Sequence, residues 1–182
     1  MSIIESTEQF APAGSWASDP VHSSVTFEVE YAGGSAFQGS FREFGAELNG
    51  GSLAGTAEVA SVDVRDEQLD GHLQSPDFFD AERHPQIAFR ADELVKEEDG
   101  GVHGTGELTL RGVTKPIELT GRIGRPAVDP FGREKLGLKL EATVDRNEYG
   151  LSWNMPNQSG GGNYLGDEVK LVANLVFVKQ DA

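Results

Sequence analysis

Cysteine is absent from the 182 residues, which excludes disulfides, thiolate metal sites and cysteine nucleophiles. No apolar run approaches the roughly 20 residues a membrane-spanning helix needs. The opening "MSIIESTEQFAPAG" lacks a basic n-region and a long apolar stretch. It does not read as a signal peptide, so the expected location is the cytoplasm. Basic residues are scarce in the first half. Residues 1–82 hold 15 acids against only Arg42 and Arg65, whereas residues 83–182 hold 15 acids and 13 bases. The net charge of −15 argues against nucleic acid and anionic membrane surfaces as partners. An anionic group would be drawn to the second half. Catalytic signatures are also missing. His22, His72, His84 and His103 form no H-x-H or H-E-x-x-H pattern, and there is no G-x-S-x-G elbow or P-loop. No metal or cofactor is expected.

What is present is glycine, 23 residues of it, punctuating short alternating segments. That pattern predicts an all-β, antiparallel fold. Eight strands are expected, at about 25–31, 37–44, 55–64, 86–94, 102–110, 116–124, 135–145 and 168–179. In "VTFEVEY", Val25, Phe27, Val29 and Tyr31 share one face, because side chains alternate along a strand. In "LGLKLEATVD", Leu136, Leu138, Leu140, Ala142 and Val144 oppose Lys139, Glu141, Thr143 and Asp145. Eight strands with one apolar face close into a barrel, which removes exposed sheet edges. Residues 1–15 read as a loose arm and 16–182 as one domain. The last strand is apolar on both faces toward its end. Cover by the arm, through Phe10 or Trp16, is the simpler expectation, and a homodimer contact the alternative.

Barrels of this size are either just filled or hold one small ligand. Gly39, Gly104, Gly106 and Gly121 fall in register with apolar faces. Such glycines mark close approach or a bend, or they leave a lumen. An apolar lumen would select a hydrocarbon, each buried CH₂ contributing about 0.8 kcal/mol. The stretch "DEQLDGHLQSPDFF" predicts a short helix after strand three. Asp66 caps it, Leu69 and Leu73 share a face, and Pro76 blocks its continuation. Phe78 and Phe79 follow on a turn, as a greasy lid whose acids face water.

At these residues the chain resembles the YceI-like family, whose architecture is similar to that of lipocalins. The matching pieces run in order: "DPVHSSVTFEVEY", "FQGSFREF", "SVDVRDEQLDGHLQSPDFFDAERHPQIAF", "GTGELTLRGVTKPIEL", "DPFGREKLGLKLEATVDRNEYGLSWN" and "LGDEVKLVANLVF". The third piece, an Asp-x-x-Leu helix and a Phe-Phe-Asp turn, is the most specific. The resemblance implies an eight-stranded lipocalin-like barrel holding an isoprenoid or similar long-chain lipid, with polyprenyl phosphates and isoprenoid quinones as the suggested ligands. Many members are exported, so an opening without a signal is a departure from them. The expected tail wall is Phe27, Val29, Phe41, Phe89, Leu108, Leu119, Leu138 and Leu140, extended by Ile87 and Leu110. Phe78, Phe79 and Trp153 are expected to border the mouth. Arg111, Lys115 and Arg146 are the candidates for meeting a phosphate head group, because an unpaired anion is costly to bury.

Two other readings compete with a carrier. One is a lipid-modifying enzyme using the same cavity, with His72 or His84 in an acid–base pair. His72 lies two residues after Asp70, and His84 two after Glu82. The other is a structural module with a filled core.

Overall fold

A computed structural model describes residues 10–156, 158–160 and 162–181. Residues 1–9 of the expected arm lie outside the described residues. The strands are β1 (Ser15–Ser18), β2 (Ser24–Tyr31), β3 (Ser35–Phe41), β4 (Phe44–Asn49), β5 (Ser52–Glu58), β6 (Val62–Asp63), β7 (Gln86–Ala91), β8 (Val95–Lys96), β9 (Gly101–Leu110), β10 (Val113–Ile123), β11 (Ala127–Val128), β12 (Glu134–Asp145) and β13 (Leu165–Lys179). One short helix, α1 (Glu67–Gln74), follows β6.

All pairings between these strands are antiparallel. The order β12-β10-β9-β7-β5-β4-β1-β13 closes on itself, because β13 also pairs with β12 from Lys135↔Val178 to Asp145↔Glu168. That is the expected eight-stranded barrel. Three of its strands bend in concert. β13 takes β1 at Phe177–Lys179 and β2 at Leu165–Asn174, so β1 and β2 are two halves of one course around the barrel. The next course breaks at Arg42–Glu43 between β3 and β4, and the third breaks at a 3₁₀ turn, Val59–Ser61, between β5 and β6. Hydrogen bonds stitch the breaks together. The Arg42 amide donates to the Ser61 carbonyl at 3.0 Å, and the Glu58 amide to the Glu43 carbonyl at 2.8 Å.

These bends correct two expected strands and add a third. The segment expected at 37–44 straddles the Arg42–Glu43 break. The expected 55–64 strand is β5, displaced to Ser52–Glu58, then a turn, then β6. β4 was not expected at all, although Phe44, Ala46 and Leu48 alternate with Gly45, Glu47 and Asn49. Alanine and glycine weaken the contrast that marks a strand. Two residues of the segment expected to be a loose arm are packed: Phe10 and Ala11 are buried, as is Trp16 in β1. Val176 and Val178, on the other face of β13, are half-buried.

The core is asymmetric along the barrel axis. The end opposite α1 is solid: Trp16, Leu48, Leu53, Leu136 and Phe177 are each no more than 1% exposed. The four in-register glycines belong to close packing and do not open a lumen. A Cβ at Gly39 would lie 2.3 Å from the Phe27 ring, one at Gly104 2.9 Å from Leu94, and one at Gly106 2.8 Å from Phe89. At Gly121 it would lie 1.9 Å from the Lys139 carbonyl oxygen of the neighbouring strand. Backbone cannot move aside as a side-chain tip does. Gly121→Ala is therefore expected to cost about 2–3 kcal/mol, the upper part of the range for strained overpacking, read as a lowered urea midpoint with an unchanged slope.

Candidate functional site

The lumen opens toward the end that carries α1. The Asp66 carboxylate caps this helix, accepting from the Leu69 amide at 3.0 Å, and the Asp70 carboxylate ties it to the barrel by accepting from the Val64 amide at 2.7 Å. The expected i, i+4 pair results: Leu69 and Leu73 both face the cavity. Past the helix, the Phe79 amide donates to the Leu73 carbonyl at 2.9 Å and turns the chain back. Phe78 and Phe79 enter the lumen. The Phe79 ring stands edge-on to Phe27 and Phe41, at 6.4 and 5.7 Å between centroids. The lid is greasy as expected, but its acids do not all face water. Asp80 is only 5% exposed. Its left-handed backbone (φ 53) directs the residue inward, and its amide closes the turn on the Ser75 carbonyl at 3.0 Å.

The cavity measures about 690 Å³, inside the range of about 300–1,000 Å³ typical of small-molecule sites. Of the thirteen apolar residues expected to meet a ligand, Phe27, Val29, Phe41, Phe78, Phe79, Ile87, Phe89, Leu108, Leu110, Leu119, Leu140 and Trp153 line it. Leu138 does not. It pairs with Ile123 and Leu175, level with the deep end of the cavity, where it is buried among the side chains of the solid end. The space itself comes from small inward residues: Ala46 opposite Gly55, Ala57, Ala142 and Ala173. The sequence reading missed Ala46 because it missed β4, whereas Gly55 falls inside the strand expected at 55–64. The reading also missed the whole contribution of β13, where Leu165, Val169, Leu171 and Leu175 face in. Their pairing with Val29 and Phe27 sets that direction, and a strand apolar on both faces hides it.

Polarity is confined to one end. Among lining residues Thr56 and Glu141 belong to the outward set of their strands, leaving Tyr31, His72 and Arg146 as polar side chains that reach the cavity. All three sit at the α1 end. His72 Nε2 lies 3.0 Å from Asp77 Oδ2. Its ring stands edge-on to Phe78 at 5.0 Å and to Trp153 at 4.7 Å, so lid and loop meet on it. Its carboxylate partner is Asp77 and not Asp70. His84 is not among the lining residues and packs against the Gly112 turn.

Of the three expected head-group cations, Arg146 alone lines the cavity. Arg111 instead donates from Nη1 to the Gly150 carbonyl at 2.7 Å, and Lys115 is exposed. Arg146 is 5% exposed. Its Nε donates to the Gly166 carbonyl at 2.8 Å, and its Nη1 donates to the carbonyls of Leu151 and of Trp153, the latter at 2.8 Å. Burial pushes the guanidinium down from its ordinary value, opposed by the nearby carboxylates of Asp167 and Asp145. Arginine stays charged through such a shift. Nη2 has no acceptor among the described residues, leaving one donor nitrogen near the mouth.

A model of the YceI-like domain matches residues 16–177. A UPF0312 protein of Staphylococcus epidermidis is 29% identical, over 87% of this chain and 94% of its own length. One from Pectobacterium carotovorum is 29% identical, over 87% of this chain and 82% of its own. Among solved structures, a YCEI protein of Campylobacter jejuni superposes with a TM-score of 0.69 and 27% identity, covering 81% of this chain and 87% of that one. A polyisoprenoid-binding domain from Saccharophagus degradans, implicated in plant cell wall breakdown, shares the fold at a TM-score of 0.71 and 12% identity, covering 91% and 98%.

Proposed function

Because the chain belongs to the YceI-like family, we propose that it is a lipid carrier or reservoir holding a long-chain isoprenoid, a polyprenyl phosphate or an isoprenoid quinone, in the barrel lumen. The single observation behind this reading is the 690 Å³ space whose inward-facing side chains are apolar except at the α1 end. Such a space is costly to leave empty and offers a tail nothing but dispersion and the hydrophobic effect. The polyisoprenoid-binding domain that shares this fold points to the same class of ligand. The tail lies along Phe27, Phe41, Phe89, Leu108 and Leu119. The head sits at the mouth, within reach of Arg146 and His72. Extraction of the purified protein with organic solvent, followed by mass spectrometry, is expected to recover an isoprenoid. Recovery of no isoprenoid or acyl lipid, together with no uptake of added lipid, overturns the reading.

The enzyme alternative draws on one observation, the 3.0 Å contact between His72 and Asp77 at the rim. It pairs a base with an orienting carboxylate but gives it nothing to activate. No serine lines the cavity among the described residues, and Thr56 faces outward. A binding protein therefore accounts for more of the geometry. Turnover of a bound lipid that disappears in a folded His72→Ala variant would reverse that choice.

A further inference from the structure

We propose that Leu53 and Leu175 form a floor that sets the longest tail the lumen accepts; this rests on the carrier reading above. Two sets of residues meet at these positions. Both leucines line the cavity, and both are buried, at 1% and 6% exposure. Beside Leu53 lies Leu48, its partner across β4 and β5, and one step further from the mouth lies Phe177, two residues after Leu175 on the same face of β13. Each is 0% exposed, and neither reaches the cavity. The tunnel is therefore blind. Its deep end is hydrocarbon packed as tightly as any core, and its polar side chains all lie at the other end. That polarity fixes the direction of a bound amphiphile, head at the mouth and tail toward the floor. A blind tunnel entered in one direction measures length. Each added methylene gains contact until the tail meets Leu53 and Leu175. The next one must then fold back in the lumen or push the head out.

The test is a calorimetric titration with straight-chain 1-alkanols of increasing length. Affinity for the natural chain is expected to rise about fourfold per methylene and then level off at one length. Leu175→Ala, or Leu53→Ala should the first variant fold poorly, is expected to move that break to longer chains. The first alcohol beyond the original limit then gains several-fold in affinity. Leu110→Ala removes the same volume near the mouth. It is expected to weaken every alcohol without moving the break. A rise with no break, a break that neither floor variant moves, or an equal move in Leu110→Ala overturns the floor while leaving the carrier intact. Failure of every alcohol and every isoprenoid to bind overturns both.

Discussion

Replacing Ala142 by tryptophan is expected to lower lipid affinity by at least about a hundredfold while the protein stays folded. Ala142 lies on the inward face of β12, paired with Leu171 on β13, and it lines the lumen. Its neighbours on that face, Leu140 and Val144, also line the lumen, so the indole projects into open space and not into packed side chains. A ring of that size displaces the volume of several methylenes. At about 0.8 kcal/mol each, four lost methylenes amount to about 3 kcal/mol, or roughly two-hundredfold in affinity. Stability moves in the other sense or little at all, because filling a void does not incur the strain of overpacking. Binding is read by uptake of a quantified isoprenoid, and folding by the urea midpoint. A folded variant that still takes up lipid as the natural chain does shows that the tail lies elsewhere.

Much of the barrel was legible because its strands are clean on one side. β10 and β12 carry leucine and isoleucine at alternate positions against lysine, glutamate and threonine, and one apolar face must find cover. The lid was legible from a cap, an i, i+4 leucine pair and a proline stop. Local chemistry of that kind survives whatever the rest of the chain does. What failed depended on register. β4 was invisible because two of its residues are glycine and alanine, the same small residues that make the lumen. A cavity is built from an absence of side chain, and such an absence weakens the hydrophobic signal. The glycines that did stand out had the opposite role, since Gly39, Gly106 and Gly121 are where neighbouring groups come too close for a Cβ. Leu138 and Leu140 look alike in sequence. Only the pairing of Leu138 with Ile123 and Leu175 places one level with the floor and the other, a step nearer the mouth, on the wall. The choice among Arg111, Lys115 and Arg146 was equally closed to sequence, because Arg111 and Arg146 both follow a strand whose end lines the cavity, and only the fold turns one onto the Gly150 carbonyl and the other into the lumen.

Arg146→Met is expected to cost about 3–5 kcal/mol of stability, because three carbonyls each lose a hydrogen bond to a charged group worth about 1.5–3 kcal/mol, reduced where the bond is only part-buried. The guanidinium serves three carbonyls from separate points of one connection: Leu151 and Trp153 early in it, and Gly166 where β13 begins. Methionine keeps most of the volume and none of the donors. Three carbonyls are then left to find water or go without, each a loss of about 1–3 kcal/mol where burial is complete. Arg146→Lys is expected to recover less than half of the loss. A single ammonium on a flexible stem does not reproduce a planar fork that reaches both ends of the loop. Equilibrium urea unfolding reads both variants. A loss below about 1 kcal/mol for Arg146→Met, on the scale of an exposed pair, would mean that the three bonds do not hold the loop. The same experiment separates two roles that the residue combines. Two of its three nitrogens are committed to the fold, and only Nη2 remains for a ligand. The structural effect should therefore exceed any change in lipid affinity measured on the folded fraction. If Arg146→Met binds lipid normally once folded, the guanidinium is a clasp for the loop that carries Trp153, and the head group is held by other contacts at the mouth.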